Sequence, residues 1–459
     1  MVVIDDTIAA IATPPGRGGV GIVRLSGANA PKIAKQLIDK GPNSQESQDL
    51  KVRQAMLCSF FEQDGTPIDS GILIYYPQPA SYTGEHVVEL QGHGGRVVMS
   101  MLLDRVIALG ARQARPGEFT ERAFVNNKID LVQAEAVAGL IDSVSSQAAR
   151  SAIRSLEGEF SNNINDLLQR LINLRMLVES VLDFPEEEID FIEDADIKEK
   201  LTACIEDIDK ILVRAHQGAI LSKGLQLAIV GSPNVGKSTL LNRLAGREAA
   251  IVSTSPGTTR DIVEENILMG GAPLNILDTA GIRDTRDEIE EEGVKRALNA
   301  ASRADVILLL IEYGQNIGKE EQRVLDTLPE NVKTVVVRNK IDLSENKDDL
   351  LAKNRNATEV FLSAKTGEGV DDLVQKLKTI MGMGDTGEDS YMARARHLNA
   401  LSKTQEYLTT GQQRLENKNT LELLAEDLRM AQESLGTITG SFAADDLLGE
   451  IFSKFCIGK

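Results

Sequence analysis

Gly231-Ser232-Pro233-Asn234-Val235-Gly236-Lys237-Ser238 fits the pattern G-x-x-x-x-G-K-[ST], with an apolar run over 225–231 leading into it and a helix-like Thr239-Leu240-Leu241-Asn242-Arg243-Leu244 following. The glycines let backbone N–H groups turn inward around phosphate oxygens, and the helix N-terminus adds its dipole. Lys237 supplies a point charge for the β- and γ-phosphates, and the Ser238 hydroxyl suits Mg2+. Asn234, Val235, Gly236 and Thr239 complete the expected cradle. Strand-like runs at 225–231, 274–278, 305–311, 334–338 and 360–363 alternate with helical ones across 223–380, as in a doubly wound α/β domain.

Further motifs stand at the ends of those strands in a fixed order. Asp278-Thr279-Ala280-Gly281 puts an acid where it reaches Mg2+ through water and the Gly281 amide where it senses a γ-phosphate. Asn339-Lys340-Ile341-Asp342 offers Asp342 as acceptor for the N1–H and N2 amino group of guanine, donors that adenine lacks, so this one residue rejects ATP. Ser363-Ala364-Lys365 presents a backbone amide to guanine O6. Gly257-Thr258-Thr259-Arg260 lies where a switch loop belongs, with Thr259 as second Mg2+ ligand, and Ser253-Thr254-Ser255-Pro256 just before it are expected among the GTP-binding residues. Hydrolysis is less legible. Ras-like GTPases orient the attacking water with a Gln after D-T-A-G, and here that position is Ile282. The acidic run 284–292 offers carboxylates, and reads equally as a solvated helix start with acids at the favourable dipole end.

At 459 residues, about three domains are expected. With 42% hydrophobic and 26% charged residues, wholesale disorder is excluded. No apolar run reaches the ~18 to 20 residues of a membrane helix, and the acidic start lacks the basic region of a signal peptide. Cys58, Cys204 and Cys456 are too scattered for a disulfide framework, and the four histidines form no zinc pattern with them. A cytoplasmic protein without a membrane role is expected. The net charge of −19 argues against tight non-specific nucleic-acid binding, although the acid is concentrated near 183–199 and 284–292.

Short β-branched runs make 1–117 mixed α and β, with a boundary at Pro116-Gly117. Leu167, Leu171, Leu174, Val178 and Val181 then recur at helical spacing, as do Leu421, Leu424, Leu428, Ala431 and Leu435 later in the chain. Each stripe needs an apolar partner, and the simplest is the other. The expected architecture is an N-terminal α+β domain (1–117), a discontinuous α-helical domain (118–222 and 384–459) and an inserted Ras-like α/β P-loop G domain (223–383). Two independent helical modules are the alternative.

The GTP motifs occur with Thr13-Pro14-Pro15-Gly16-Arg17-Gly18-Gly19-Val20-Gly21-Ile22, Leu90-Gln91-Gly92-His93-Gly94-Gly95, Arg115-Pro116-Gly117-Glu118-Phe119, Asp183-Phe184-Pro185 and a terminal Cys456-Ile457-Gly458-Lys459. In that order they make the whole chain resemble the tRNA-modification GTPase family MnmE, also called TrmE. The resemblance implies an N-terminal domain that forms a homodimer and binds a one-carbon tetrahydrofolate (5-formyl or methylene) through Arg24, Glu89, Lys128 and Lys459. It implies that Glu290 orients the attacking water. A K+ ion held by Asn234, Ser253, Ser255 and Thr258 would replace an arginine finger. It also implies tRNA and a flavin-dependent, FAD-carrying partner resembling MnmG (GidA). With that partner, a carboxymethylaminomethyl or aminomethyl group is built at C5 of the wobble uridine, U34, of certain tRNAs. A ribosome-assembly or regulatory GTPase switch without modification chemistry is the alternative. Prenylation at Cys456 fits poorly, because Gly458 and Lys459 follow it at unsuitable positions.

Overall fold

The structure, a computed structural model, describes residues 6–39, 49–183, 197–247, 265–269, 272–277, 303–328, 332–345, 351, 359–381, 390–416, 421–441 and 445–458. The chain forms two compact units. One joins Met1–Ala138 to Leu435–Lys459, and the other spans Gly139–Ser434.

In the first unit, β1 (Ile8–Ile11), β2 (Gly18–Ser26), β3 (Met56–Phe61), β4 (Pro67–Tyr76), β5 (Val87–Gly94) and β6 (Arg112–Gln113) form a sheet in the order β3-β4-β5-β2-β1-β6. Neighbours run antiparallel except β1 and β6. Alternation along the strands sends Val23, Leu25, Leu73, Val88 and Leu90 into one core with α1 (Ala30–Ile38) and α2 (Arg96–Ala108). On the other parity, Arg24 and Glu89 are register partners on adjacent strands, where their charges meet. Helices α3 (Glu118–Val125) and α4 (Leu131–Ile141) meet the C-terminal helix Asp445–Ser453 in a smaller core of Leu131, Ala134, Ile451, Phe452 and Phe455.

In the second unit, α5 (Ser146–Leu156), α6 (Glu159–Asp183) and α7 (Ile197–Lys223) precede the second sheet. Leu167, Leu171, Leu174 and Val178 of the expected stripe are buried along α6. The sheet comprises β7 (Leu225–Val230), β8 (Glu265–Met269), β9 (Ala272–Leu277), β10 (Val306–Glu312), β11 (Lys333–Asn339) and β12 (Glu359–Phe361), ordered β12-β11-β10-β7-β9-β8. All pairs are parallel except the β8–β9 hairpin, whose edge strand the sequence reading did not anticipate. Along β10, Val306, Leu308 and Leu310 enter one core while Ile307, Leu309 and Ile311 enter the other. This strand is covered on both faces, as a central parallel strand must be, and each fully buried aliphatic side chain contributes about 1.5–3 kcal/mol. Because β7 lies between β10 and β9, the strand order reverses at its carboxyl end, which is where ligands bind in open α/β sheets.

The chain re-enters the helices through Ser390–Ala393. Ser151 Oγ donates to the Ser390 carbonyl at 3.1 Å, and Arg154 donates to it through Nε and Nη2 at 3.2 and 3.0 Å. The Met392 amide donates to Ser155 Oγ at 2.9 Å. Gly218 of α7 passes so close that a Cβ would strike the Tyr391 carbonyl oxygen. Beyond this crossing a further helix, Ala395–Glu416, packs along α7, so helical segments far apart in sequence lie side by side.

Candidate functional site

The P-loop leaves the carboxyl end of β7, and helix α8 (Lys237–Arg247) begins within the motif. Val235 anchors the loop in the core. Asn234 adopts φ of 62°, a conformation asparagine tolerates. Gly236 has φ of 103°, and a Cβ there would strike Asn339 Nδ2.

That contact marks the joint of the site. Asn339 is 2% exposed; its Nδ2 donates to the Val235 carbonyl at 2.7 Å, and its Oδ1 accepts from the Ala364 amide at 2.9 Å. One side chain thereby fastens the P-loop to the 363–365 loop. Lys340 turns at φ of 67° and pairs with Glu312 Oε2 at 2.6 Å. Asp342, in the short turn that follows, accepts from Ser363 Oγ at 2.6 Å, which fixes its carboxylate.

The Lys237 ammonium donates to the carbonyls of Gly231 and Ser232 at 2.6 and 3.0 Å. Burial pushes its pKa below the usual lysine value, with Glu321 opposing. Glu321 lies on α9 (Lys319–Asp326), where its nearly buried carboxylate accepts from Ser232 Oγ. Ser238 and Thr239 occupy the first turn of α8. A half-buried cation at a helix N-terminus fits a polyphosphate, and the adjacent Ser238 hydroxyl fits its Mg2+. Ser253, Thr254, Ser255, Pro256, Gly257, Thr258, Thr259, Asp278, Thr279, Ala280, Gly281, Glu290 and Lys459 lie outside the described residues.

In the first unit, Arg24 Nε and Nη2 both donate to Glu89 Oε1, at 3.0 and 2.9 Å. The guanidinium lies 5.8 Å from the centre of the Tyr82 ring and 5.9 Å from that of Phe119. Tyr82 also lines an open cleft of about 590 Å3 with Arg53, Ile74, Tyr76, Ala80, Ser81 and Lys128. Arg53 Nη2 donates to the Ala80 carbonyl at 2.6 Å and Lys128 Nζ to that of Pro79 at 3.2 Å. Aromatic rings beside two cations fit a folate, with its stacked pterin and terminal carboxylates. Arg53, Tyr76 and Tyr82 were not singled out from sequence; Tyr76 ends β4, while Arg53 and Tyr82 come to the cleft from the segments before β3 and after β4.

The family model described as MnmE helical domain matches residues 131–456, and that described as GTP-binding protein TrmE N-terminus matches residues 7–128. The chain is 51% identical over 455 residues to the tRNA modification GTPase MnmE of Hydrogenovibrio crunogenus, covering 99% of each. It is 50% identical over 457 residues to the protein of the same name from Nitrosomonas europaea, again covering 99% of each. For that of Neisseria meningitidis serogroup C the identity is 51% over 453 residues, with 99% of each covered. Among the described residues, no helix is long and apolar enough to cross a membrane.

Proposed function

This chain belongs to the tRNA modification GTPase MnmE family, and from that premise we propose that it is a K+-activated GTP hydrolase which works with an FAD-dependent, MnmG-like partner. Together they add a carboxymethylaminomethyl or aminomethyl group at C5 of U34 in certain tRNAs. The observation that carries the nucleotide reading is the Asn339 bridge, which joins the phosphate-binding loop to the loop beside Asp342. Phosphate recognition and base recognition thereby share one rigid side chain.

In this proposal Asp342 accepts from guanine N1–H and N2, and Lys237 neutralises the phosphates. Ser238 and Thr259 would hold Mg2+, and Asn234, Ser253, Ser255 and Thr258 would hold K+. These ions supply positive charge against the charge that develops on the transferred phosphoryl group. Glu290 orients the attacking water. The Tyr82 cleft would take a one-carbon tetrahydrofolate, which supplies the carbon unit when bound. Glu89 would meet the pterin edge there through Oε2, with Arg24 holding its Oε1, and Lys128 and Lys459 would meet the carboxylates. Two copies would associate through the first unit, where Leu57 and Ile72 expose apolar surface on the sheet. The domain division proposed is 1–117, 118–222, 223–383 and 384–459, in a cytoplasmic protein.

The test is the nucleoside profile of tRNA from cells lacking this chain, complemented with wild type or with Glu290→Ala. Loss of the modified wobble uridines, restored by wild type alone, is expected. Unchanged wobble uridines would overturn the proposal and favour a regulatory GTPase without modification chemistry.

A further inference from the structure

Arg243, on the P-loop helix, reaches across to the 363–365 loop. Its Nε donates to the Ala364 carbonyl at 3.1 Å, and its Nη2 donates to the Lys365 carbonyl. A guanidinium is planar, with its donors in a fixed fork, so gripping two consecutive carbonyls holds both peptide planes at once. In a trans peptide the carbonyl of one residue and the N–H of the next point in opposite directions. Holding the Ala364 carbonyl therefore aims the Lys365 N–H away from Arg243.

The neighbouring amides already have acceptors. Ala364 N–H goes to Asn339 Oδ1 at 2.9 Å, and Thr366 N–H goes to Ser363 Oγ at 3.1 Å. Between them, the Lys365 N–H has no acceptor among the described residues. The same loop is tied to Asp342, whose carboxylate accepts from Ser363 Oγ.

We propose that Arg243 is a positioning residue for base recognition: it aims the Lys365 amide at the 6-keto oxygen of guanine, while Asp342 reads the N1 and N2 donors. The inference rests on reading this site as one for guanine nucleotides. Arg243 stands on the helix whose N-terminus forms the phosphate cradle, so it also ties the aim of the base-reading amide to the phosphate end of the site.

Calorimetric titration of the full chain with three nucleotides tests this. In 6-thio-GDP the 6-oxygen becomes a poor acceptor while the donors read by Asp342 remain; IDP keeps the oxygen and loses the 2-amino group. Arg243→Ala is expected to weaken GDP and IDP alike by about tenfold and 6-thio-GDP by less than about twofold, because only the oxygen-dependent bond is lost. Arg243→Lys, able to hold one carbonyl, falls between wild type and Arg243→Ala. For hydrolysis, KM for GTP rises while kcat at saturation is retained. Equal weakening of all three nucleotides would make Arg243 a general brace and overturn the inference, as would unchanged GDP affinity. Failure of the wild type to bind GDP would instead overturn the reading of the site itself.

Discussion

Ser363 donates its hydroxyl proton to Asp342 Oδ1 across 2.6 Å, joining the two segments proposed to read the base, 21 residues apart in sequence. Removing the carboxylate and removing its anchor should therefore differ in degree. Asp342→Asn replaces one charged acceptor oxygen with an NH2 group that faces a guanine donor, and is expected to lower GTP affinity by about 1.5–3 kcal/mol, the range for hydrogen bonds to charged groups. Ser363→Ala leaves the carboxylate present but less fixed, and a loss of about 0.5–1.5 kcal/mol is expected. Calorimetry on both variants checks the order; a larger loss for Ser363→Ala would contradict it.

Asn339 has the greater structural burden. Asn339→Ala strips the Val235 carbonyl and the Ala364 amide of their partner at a nearly buried position. Leaving such groups unsatisfied costs about 1–3 kcal/mol each. The urea midpoint of the unit containing the second sheet is expected to fall accordingly, together with GTP affinity. An unchanged midpoint would show that the two loops are not held by this bridge.

Lys237 exchanges stability for binding. Its pKa is lowered by burial, so folding disfavours the ammonium relative to the unfolded chain. That cost is present below the folded pKa and is relieved as pH rises through it. Lys237→Met is expected to raise the thermal midpoint at pH 7 while reducing GTP affinity by at least about tenfold, with the stability gap narrowing at alkaline pH. A lower midpoint at pH 7 would refute this.

Arg122 organises the acids of the first unit. It is nearly buried and donates to Asp6 Oδ1 at 2.6 Å, to Glu85 Oε2 at 3.1 Å and to Glu118 Oε1 at 3.2 Å. The hydrogen bond from Arg112 is the main cause lowering the pKa of Asp6. Burial raises that of Glu118, but bonds from Arg112, the Arg115 amide and Arg122 outweigh it and leave the value lowered. Lowered carboxylates stabilise the fold above their ordinary range of about 4, and that contribution is lost as pH falls through the folded values. Arg122→Met removes a nearly buried cation from Asp6, Glu85 and Glu118, each of which keeps another partner, and should cost about 1.5–3 kcal/mol. Its acid unfolding is expected to begin at higher pH than that of wild type, followed by circular dichroism. Coincident acid transitions would contradict the role given to Arg122.

The motifs around Gly231, Asn339 and Ser363 were legible because each is short and sits on a strand end, where spacing alone places it. Arg243 was not legible as a clamp, since its acceptors lie 121 and 122 residues away and depend on sheet order. Glu89 and Arg24 were named through the family resemblance, yet their mutual ion pair follows from the register of β2 against β5. Ser232 and Glu321 are joined in the same way by the nearness of α9 to the P-loop. The edge strand β8 escaped notice because Glu265–Met269 is only five residues long and takes its identity from β9 beside it.

The most direct measurement is a pair of calorimetric titrations of the full chain, with GTP and with ATP, in Mg2+ and K+. Expected is saturable uptake of GTP with ATP at least about a hundredfold weaker, as a site built to pair donors that adenine lacks must discriminate. Equal affinity for the two, or no uptake of GTP, would contradict the central claim.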